Sequence, residues 1–297
     1  MRKKLLTAFS LIEVSIVILI IGLLITAIAH GSKMVNKAKL NSARLATTSL
    51  GIDKIPNMTF WVETTLEDSL TSPTHQKQVE DNDQISAWAD LNPSAIKYNL
   101  SQDTAGYRPL YSADAMKGLP ALKFDGSNDY FLTNNLTGRD FTLFIILKTS
   151  NNGAGTSSST AFQSTGVIWS DAIGYGVPDI IPLAIGGGKP KIASPSDDTL
   201  TGTISVSDGR PHIVTVSRMM YNGVRSIYVD GTSGGSNTGG TGQLLANTTM
   251  AIGGNTLDSR YFDGHIGEII IYDRVLKLDE RKAVEDYLSK KWQITAS

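Results

Sequence analysis

An apolar run near the N-terminus is the strongest pattern in the chain. The basic start MRKK is followed, after four residues, by FSLIEVSIVILIIGLLITAIA from Phe9 to Ala29. As a helix rising about 1.5 Å per residue, this run can cross a hydrocarbon layer of about 30 Å. The pattern predicts a transmembrane helix over residues 9–29, and the lysines before it place the N-terminus on the cytoplasmic side.

The helical pattern continues past the apolar run. Apolar residues such as Ala38 and Leu45 recur at helical spacing among lysines and an arginine. Gly51 and Pro56 then end the helix. The sequence predicts one long helix over residues 9–50.

Short apolar segments separated by Gly-rich turns dominate from residue 85 onward. Segments 141–148 and 265–272 have the composition of buried strands, and Asn222-Gly223 joins two further strands in a predicted hairpin. A final helix has its apolar positions on one face, namely Val284, Tyr287, Leu288 and Trp292. We expect an α+β, mainly β fold: an antiparallel sandwich behind the long helix, closed by a C-terminal helix.

Residues 66–83 are polar and lack a regular period, so residues 51–84 are predicted to be a linker. The acidic clusters at residues 63–68 and 80–83 lie in this part of the chain, and no strand is expected there. Asp279 is the expected N-cap of the final helix, since Lys277 stands where a serine would cap it.

Composition argues against some classes of function. The 297 residues carry a formal net charge of −1, so the chain lacks the excess of basic residues that is typical of nucleic-acid-binding proteins. Cysteine is absent, which excludes disulfides, thiolate metal sites and cysteine nucleophiles.

Glu13 is the one charged residue inside the apolar run. A carboxylate in a membrane helix costs about 2.5–3.5 kcal/mol, so a partner is expected for it. The basic leader, the small residue Ala8, then Phe9 and Glu13 resemble the N-terminus of type IV prepilins and pseudopilins. The resemblance implies that a prepilin peptidase cuts between Ala8 and Phe9, that Phe9 is methylated, and that Glu13 sets filament assembly. The family usually has Gly before the cut, where this chain has Ala8.

Two other interpretations of the N-terminus remain open. Ala27-Ile-Ala29 supplies a small-x-small site after the apolar core, as an ordinary secretory signal requires. A plain transmembrane anchor that tolerates Glu13 is the other alternative.

A second resemblance covers the rest of the chain, from about residue 85 to Trp292. Five short motifs occur in the order seen in laminin-G-like, concanavalin A-like jelly rolls; they are SAWAD (86–90) with RPLY (108–111), ALKFDGSNDY (121–130), DGRPHIV (208–214), IYVDG (227–231) and GEIIIYDR (267–274) with its following helix. The resemblance implies the division 1–8 leader, 9–50 helix, 51–84 linker and 85–297 jelly-roll head.

Candidate chemistry in the head is sparse. Glucanases of this fold use an E-x-D-x-x-E strand motif that puts carboxylates on one face, and the sequence has none. Glu268 stands alone in its strand and is expected to be structural, as are His212 and His265. The turn from Asp125 to Asp129 has oxygens for Ca²⁺, but such turns usually satisfy their own backbone. No cofactor is therefore expected.

Together these patterns predict a minor pilin that enters a type IV pilus or related filament and presents a head for adhesion to glycan or protein ligands. Its expected partners are other pilin subunits, the prepilin peptidase and the assembly platform of the bacterial inner membrane. The head is expected in the periplasm and, after assembly, at the cell surface. The alternative is a structural pseudopilin of a type II secretion or DNA-uptake machine. A tethered glycan hydrolase is disfavoured.

Overall fold

The computed structural model describes residues 11–49, 51–134, 140–153, 165–170, 181–194, 198–239, 249–255 and 260–295. A long helix, α1 (Leu11–Ser49), precedes a β-rich head that ends in a second helix, α2 (Leu278–Trp292). The strands, in chain order, are β1 (Met58–Glu63), β2 (Leu70–Thr71), β3 (Ala87–Trp88), β4 (Leu100–Ser101), β5 (Leu110–Met116), β6 (Leu119–Asp125), β7 (Phe131–Asn134), β8 (Phe141–Lys148), β9 (Thr165–Ser170), β10 (Ile181–Gly186), β11 (Lys189–Ser194), β12 (Asp198–Thr201), β13 (Pro211–Met219), β14 (Val224–Val229), β15 (Thr232–Thr238), β16 (Thr249–Ile252), β17 (Gly254–Asn255), β18 (Arg260–Tyr261) and β19 (Asp263–Tyr272).

The strands form two large antiparallel sheets. The first sheet has the order β15-β14-β13-β8-β19-β6-β5, and β1 pairs with the second half of β19. The second sheet has the order β12-β11-β10-β9-β16-β7-β4-β3-β2, and β17 and β18 form a small separate ladder. The architecture is the mainly β antiparallel sandwich with a long N-terminal helix and a C-terminal helix that the sequence predicted.

Strand β8, in the middle of the first sheet, is buried on both faces. Successive side chains of a strand point to opposite faces, so Leu143 and Ile145 enter the core between the sheets. Phe144 and Ile146 point the other way and join a second core beneath the helices. This is why β8 is apolar almost throughout.

The predicted hairpin and the final helix are both confirmed. Strands β13 and β14 pair on either side of Asn222-Gly223, and Gly223 takes the left-handed φ of 68° that such a turn favours. Helix α2 begins at Leu278, where the backbone N–H of Lys277 donates to Glu280 Oε2 at 2.9 Å. Asp279 lies inside the first turn, so its predicted capping role was wrong.

The linker prediction for residues 51–84 was wrong over β1. In this strand Phe60 and Val62 face the core between the sheets, while Trp61 faces the helices. Strand β1 pairs with β19 in register, Phe60 opposite Ile271. The MTFWVE segment carries apolar side chains on both faces, as a buried strand does. It is only six residues long and a polar segment follows it, so the sequence pattern did not predict a strand there.

Candidate functional site

Helix α1 divides into two halves with opposite surroundings. In the first half, from Leu11 to Ile25, the large apolar side chains are between 46% and 88% exposed. Glu13 lies within this exposed half. Among the described residues, α1 is the one helix long and apolar enough to cross a membrane. Ala8 and Phe9, the predicted cleavage and methylation residues, lie outside the described residues.

The second half of α1 packs on the head. Ala43 is buried against the layer beneath α2, and Asn36 donates to Asp114 at 3.0 Å. Lys39 Nζ donates to the carbonyl of Lys117 at 2.8 Å, and Arg44 Nε donates to the carbonyl of Thr65 at 2.8 Å. The head is therefore fixed to the helix along the region that follows the apolar half.

Two carboxylates and one ammonium group are sealed beneath α2. Lys291 Nζ lies 2.9 Å from Glu63 and 2.9 Å from Glu268, and all three side chains are buried. Glu268 also accepts hydrogen bonds of 2.7 Å from Trp61 Nε1, Trp292 Nε1 and the Tyr287 hydroxyl. Because these carboxylates have no access to solvent, they cannot reach a glycosidic bond, and Glu268 has the structural role that the sequence predicted.

The sequence predicted no strand at Glu63. In the structure Glu63 is the last residue of β1, and its carboxylate belongs to this buried cluster. Burial alone would raise its pKa. The ammonium of Lys291 and hydrogen bonds from Thr65 and from the backbone of Leu66 outweigh burial, and they hold the pKa of Glu63 below its usual value. The carboxylate therefore stays charged and tied to α2.

The Asp125–Asp129 turn uses its carboxylates internally. Asp125 Oδ1 accepts from the backbone N–H groups of Ser127 (2.8 Å) and Asn128 (3.1 Å), and Asp129 Oδ2 accepts from Asp125 at 3.0 Å. Burial, and secondarily the charge of Asp125, raises the pKa of Asp129 to about 7. Within the described residues no group of three or more His, Asp or Glu side chains is placed to hold a metal ion.

The two strand histidines have contrasting surroundings. His212 Nδ1 lies 2.7 Å from Asp230, and its Nε2 lies 3.0 Å from Asp208. Burial lowers the pKa of His212, but the two carboxylates outweigh it and raise the pKa above its usual value. For His265, burial and then Lys148 and Lys123 lower the pKa to about 4. His212 thus joins Asp208, in the segment before β13, to Asp230, in the turn between β14 and β15.

Three tyrosines that no sequence motif predicted lie with their rings next to one another. The rings of Tyr107 and Tyr130 have centroids 5.6 Å apart and planes inclined by 33°, and those of Tyr130 and Tyr261 are 6.3 Å apart and inclined by 30°. Tyr107 is 40% exposed. These residues are far apart in sequence, so no local motif could have brought them together. We call them the tyrosine cluster.

Comparison with known proteins identifies similarity at the level of the family and the fold. The family model described as the concanavalin A-like lectin/glucanases superfamily matches residues 125–280. No curated protein matches the chain.

Several solved structures have a similar fold. The receptor binding domain of the botulinum neurotoxin C/D mosaic serotype is 12% identical with a TM-score of 0.51, over 77% of this chain and 51% of that one. The receptor binding domain of botulinum neurotoxin D is 11% identical with a TM-score of 0.50, over 79% and 53%. Domain 4 of a GH43 extracellular arabinanase from Geobacillus stearothermophilus, in complex with arabinotriose, is 17% identical with a TM-score of 0.49, over 70% and 99%. The chain spans about half the length of the neurotoxin domains.

Proposed function

Because the chain belongs to the concanavalin A-like lectin/glucanases superfamily over residues 125–280, we propose that its head is a binding module carried by a pilin-like helix. In this proposal the first half of α1 holds the subunit in the bacterial inner membrane and later packs in a type IV pilus or related filament. The head then presents a surface to glycan or protein ligands outside the cell.

The division of α1 is the observation that carries the proposal. An ordinary anchor needs only an apolar span, but here the same continuous helix is exposed from Leu11 to Ile25 and packed on the head at Ala43. A force on the exposed half is thereby transmitted directly to the head. This arrangement suits a subunit that is extracted from a membrane and stacked beside copies of itself.

Glu13 gives the stacking a register. After cleavage before Phe9, the new amine of one subunit is a cation within reach of the same apolar layer. Pairing that amine with Glu13 of a neighbour would offset the cost of burying the carboxylate and fix the axial position of each subunit. The partners are then other pilin subunits, the prepilin peptidase and the assembly platform.

A binding role for the head is favoured over catalysis. The two buried carboxylates that meet at Lys291, Glu63 and Glu268, face α2 and not the solvent. The neurotoxin domains of similar fold are receptor binding domains, and by analogy this head recognises a partner outside the cell.

Two measurements test the pilin assignment. Mass spectrometry of the N-terminal peptide should find a methylated Phe9; a start after Ala29, or an intact Met1, contradicts the proposal. In cells that assemble filaments, Glu13→Val should insert in the membrane as the wild type does but be lost from sheared filaments. Glu13→Gln should be intermediate, since it keeps a hydrogen bond and loses the charge.

Ser15→Val is the matched control, because Ser15 is a polar residue of the same exposed half and its hydroxyl donates to the carbonyl of Ile12 at 2.9 Å. This variant should enter filaments at the wild-type level. Recovery of Glu13→Val in filaments at that level would show that Glu13 does not set the register of assembly.

A further inference from the structure

The tyrosine cluster continues into a groove along β7. Phe131, the first residue of the strand, is fully buried in the core between the sheets. The next three residues of the strand, Leu132, Thr133 and Asn134, line the groove. Tyr130 directly precedes β7 and is two residues from Leu132, so its backbone lies within about 7 Å of the groove.

The groove itself is an open cavity of about 390 Å³ on the outer face of the second sheet. Its lining includes Tyr98, Asn99, Ser101, Leu132, Asn134 and Thr249. Ser101 lies directly opposite Leu132 in the pairing of β4 with β7. Amide and hydroxyl groups thus surround a small apolar centre, and the tyrosine cluster adjoins it through Tyr130, which directly precedes β7. We call the cluster and this groove together the β7 surface.

The charges of the groove favour a neutral ligand. No Asp or Glu is among the described lining residues, and Lys97 is the one basic residue there. The ammonium of Lys97 donates to the backbone carbonyl of Asn92, so it is already engaged within the protein. A carboxylate, sulfate or phosphate group would therefore find little compensation for its lost hydration.

The aromatic end of the surface is held in place by backbone hydrogen bonds. Tyr130 donates its N–H to the carbonyl of Tyr107 at 3.1 Å, and Gly126 donates to the carbonyl of Phe262, next to Tyr261, at 3.1 Å. The ring of Tyr261 also lies against Gly254, where an added Cβ would come within 2.4 Å of the ring. Three separate segments are tied together, and the rings are pre-ordered before any ligand arrives.

Building on the proposed binding role of the head, we propose that the β7 surface binds a linear, neutral oligosaccharide. One sugar ring stacks on the tyrosine cluster through its apolar C–H face, with Tyr107 as the most exposed ring. Following sugars lie along β7, where Ser101, Asn134 and Thr249 exchange hydrogen bonds with their hydroxyls. Such a ligand matches the surface in its apolar faces, its many uncharged hydroxyls and its extended shape.

The test uses the full-length chain solubilised in a zwitterionic detergent that contains no sugar. Its binding is measured on an array of neutral tetrasaccharides of the glucose, mannose, xylose, galactose and arabinose series, beside sialylated and hexuronic acid oligosaccharides. The wild type should bind at least one neutral series. Tyr107→Ala should weaken that binding about tenfold or more, and Tyr107→Phe should keep most of it, since stacking uses the ring.

Tyr221→Ala is the matched control, because Tyr221 is 94% exposed at the β13–β14 turn, away from the β7 surface. Asn134→Ala provides a second variant at the far end of the groove and should also weaken binding. The melting temperature of each variant shows that the fold is kept.

Each outcome has a separate meaning. If the wild type, Tyr107→Ala and Asn134→Ala bind a neutral sugar equally well, the β7 surface is not the site. The head would then still bind glycans, but at another surface. Binding to acidic oligosaccharides alone would overturn the ligand class. If the wild type binds no member of the array, the oligosaccharide proposal fails together with a glycan role for the head. The filament role would stand or fall separately on the Glu13 variants.

Discussion

The outer faces of the two sheets differ in their cover and in the partners of the buried carboxylates near them. The outer face of the first sheet is covered by α1 and α2, and its buried carboxylate Glu63 is bonded by the ammonium of Lys291. The outer face of the second sheet along β7 is open, and next to it the buried carboxylate of Asp129 is bonded by a backbone N–H. A buried acid with its own cation belongs to a closed structural face. Asp129, which accepts a backbone hydrogen bond instead of one from an ammonium group, lies beside the surface that meets the solvent.

The pKa values of these two acids follow the same division. Glu63 has a pKa below its usual value, and Asp129 has a pKa of about 7. Burial raises the pKa of both. For Glu63, the ammonium of Lys291 and several hydrogen bonds outweigh burial, whereas for Asp129 the charge of Asp125 adds to burial, and one backbone hydrogen bond and Lys123 offset only part of it. Three predictions test whether this contrast determines stability.

Removing the cation beneath α2 should have the largest effect. Lys291→Met leaves Glu63 and Glu268 buried together without a positive charge, and it should lower the free energy of unfolding by about 3–5 kcal/mol. The measurement is denaturant unfolding of the full-length chain in detergent. Lys290→Met, at an exposed neighbour on the same helix, should change stability by less than about 0.5 kcal/mol. Equal effects of the two variants would mean that the ion cluster of Glu63, Glu268 and Lys291 contributes nothing to the free energy of unfolding.

Loosening α1 from the covered face should have a smaller effect. Ala43 is 2% exposed, and a larger charged side chain there must displace α1 from its contact with the head. Ala43→Glu should cost about 1–3 kcal/mol and raise the amide hydrogen exchange of residues 36–47. Ser42→Glu places the same charge on the exposed side of the helix and should leave exchange unchanged. Unchanged exchange in both variants would contradict the docking of the second half of α1.

Replacing the acid beside the open face should have an effect that depends on pH, and between pH 6 and pH 7 this effect is the smallest of the three. Because the folded pKa of Asp129 lies above its unfolded value, the folded state binds more protons between about pH 4 and pH 7. Stability from this group is therefore lost as the pH rises through that window. Between pH 6 and pH 7 the wild type should lose about 1 kcal/mol relative to Asp129→Asn.

The comparison of unfolding curves at these two pH values checks the Asp129 prediction. The exposed Asp279 supplies the control, and Asp279→Asn should follow the wild-type pH dependence. Parallel curves for wild type and Asp129→Asn would mean that Asp129 titrates as an ordinary surface acid.

Local pattern alone was sufficient for much of the fold. The apolar run with Glu13 predicted α1, the Asn222-Gly223 turn predicted the β13–β14 hairpin, and the spacing of Val284 and Trp292 predicted the buried face of α2. Each of these signals lies within a few residues, where turn geometry and helical or strand periodicity act directly. The resemblance of the head to concanavalin A-like domains depended on short motifs of the same kind.

Only the tertiary structure decided which distant residues meet. The sequence predicts a linker where β1 lies, because this short apolar segment is stabilised by its pairing with β19, about 200 residues away. The ion cluster joins Glu63 to Lys291, and the tyrosine cluster joins Tyr107 to Tyr261, across similarly long stretches of chain. The sequence by itself determined the elements and the polarity of their faces, because those depend on neighbours along the chain. Burial, charge pairing and the shape of the β7 surface depend on neighbours in space, and only the packing of the sheets brings these together.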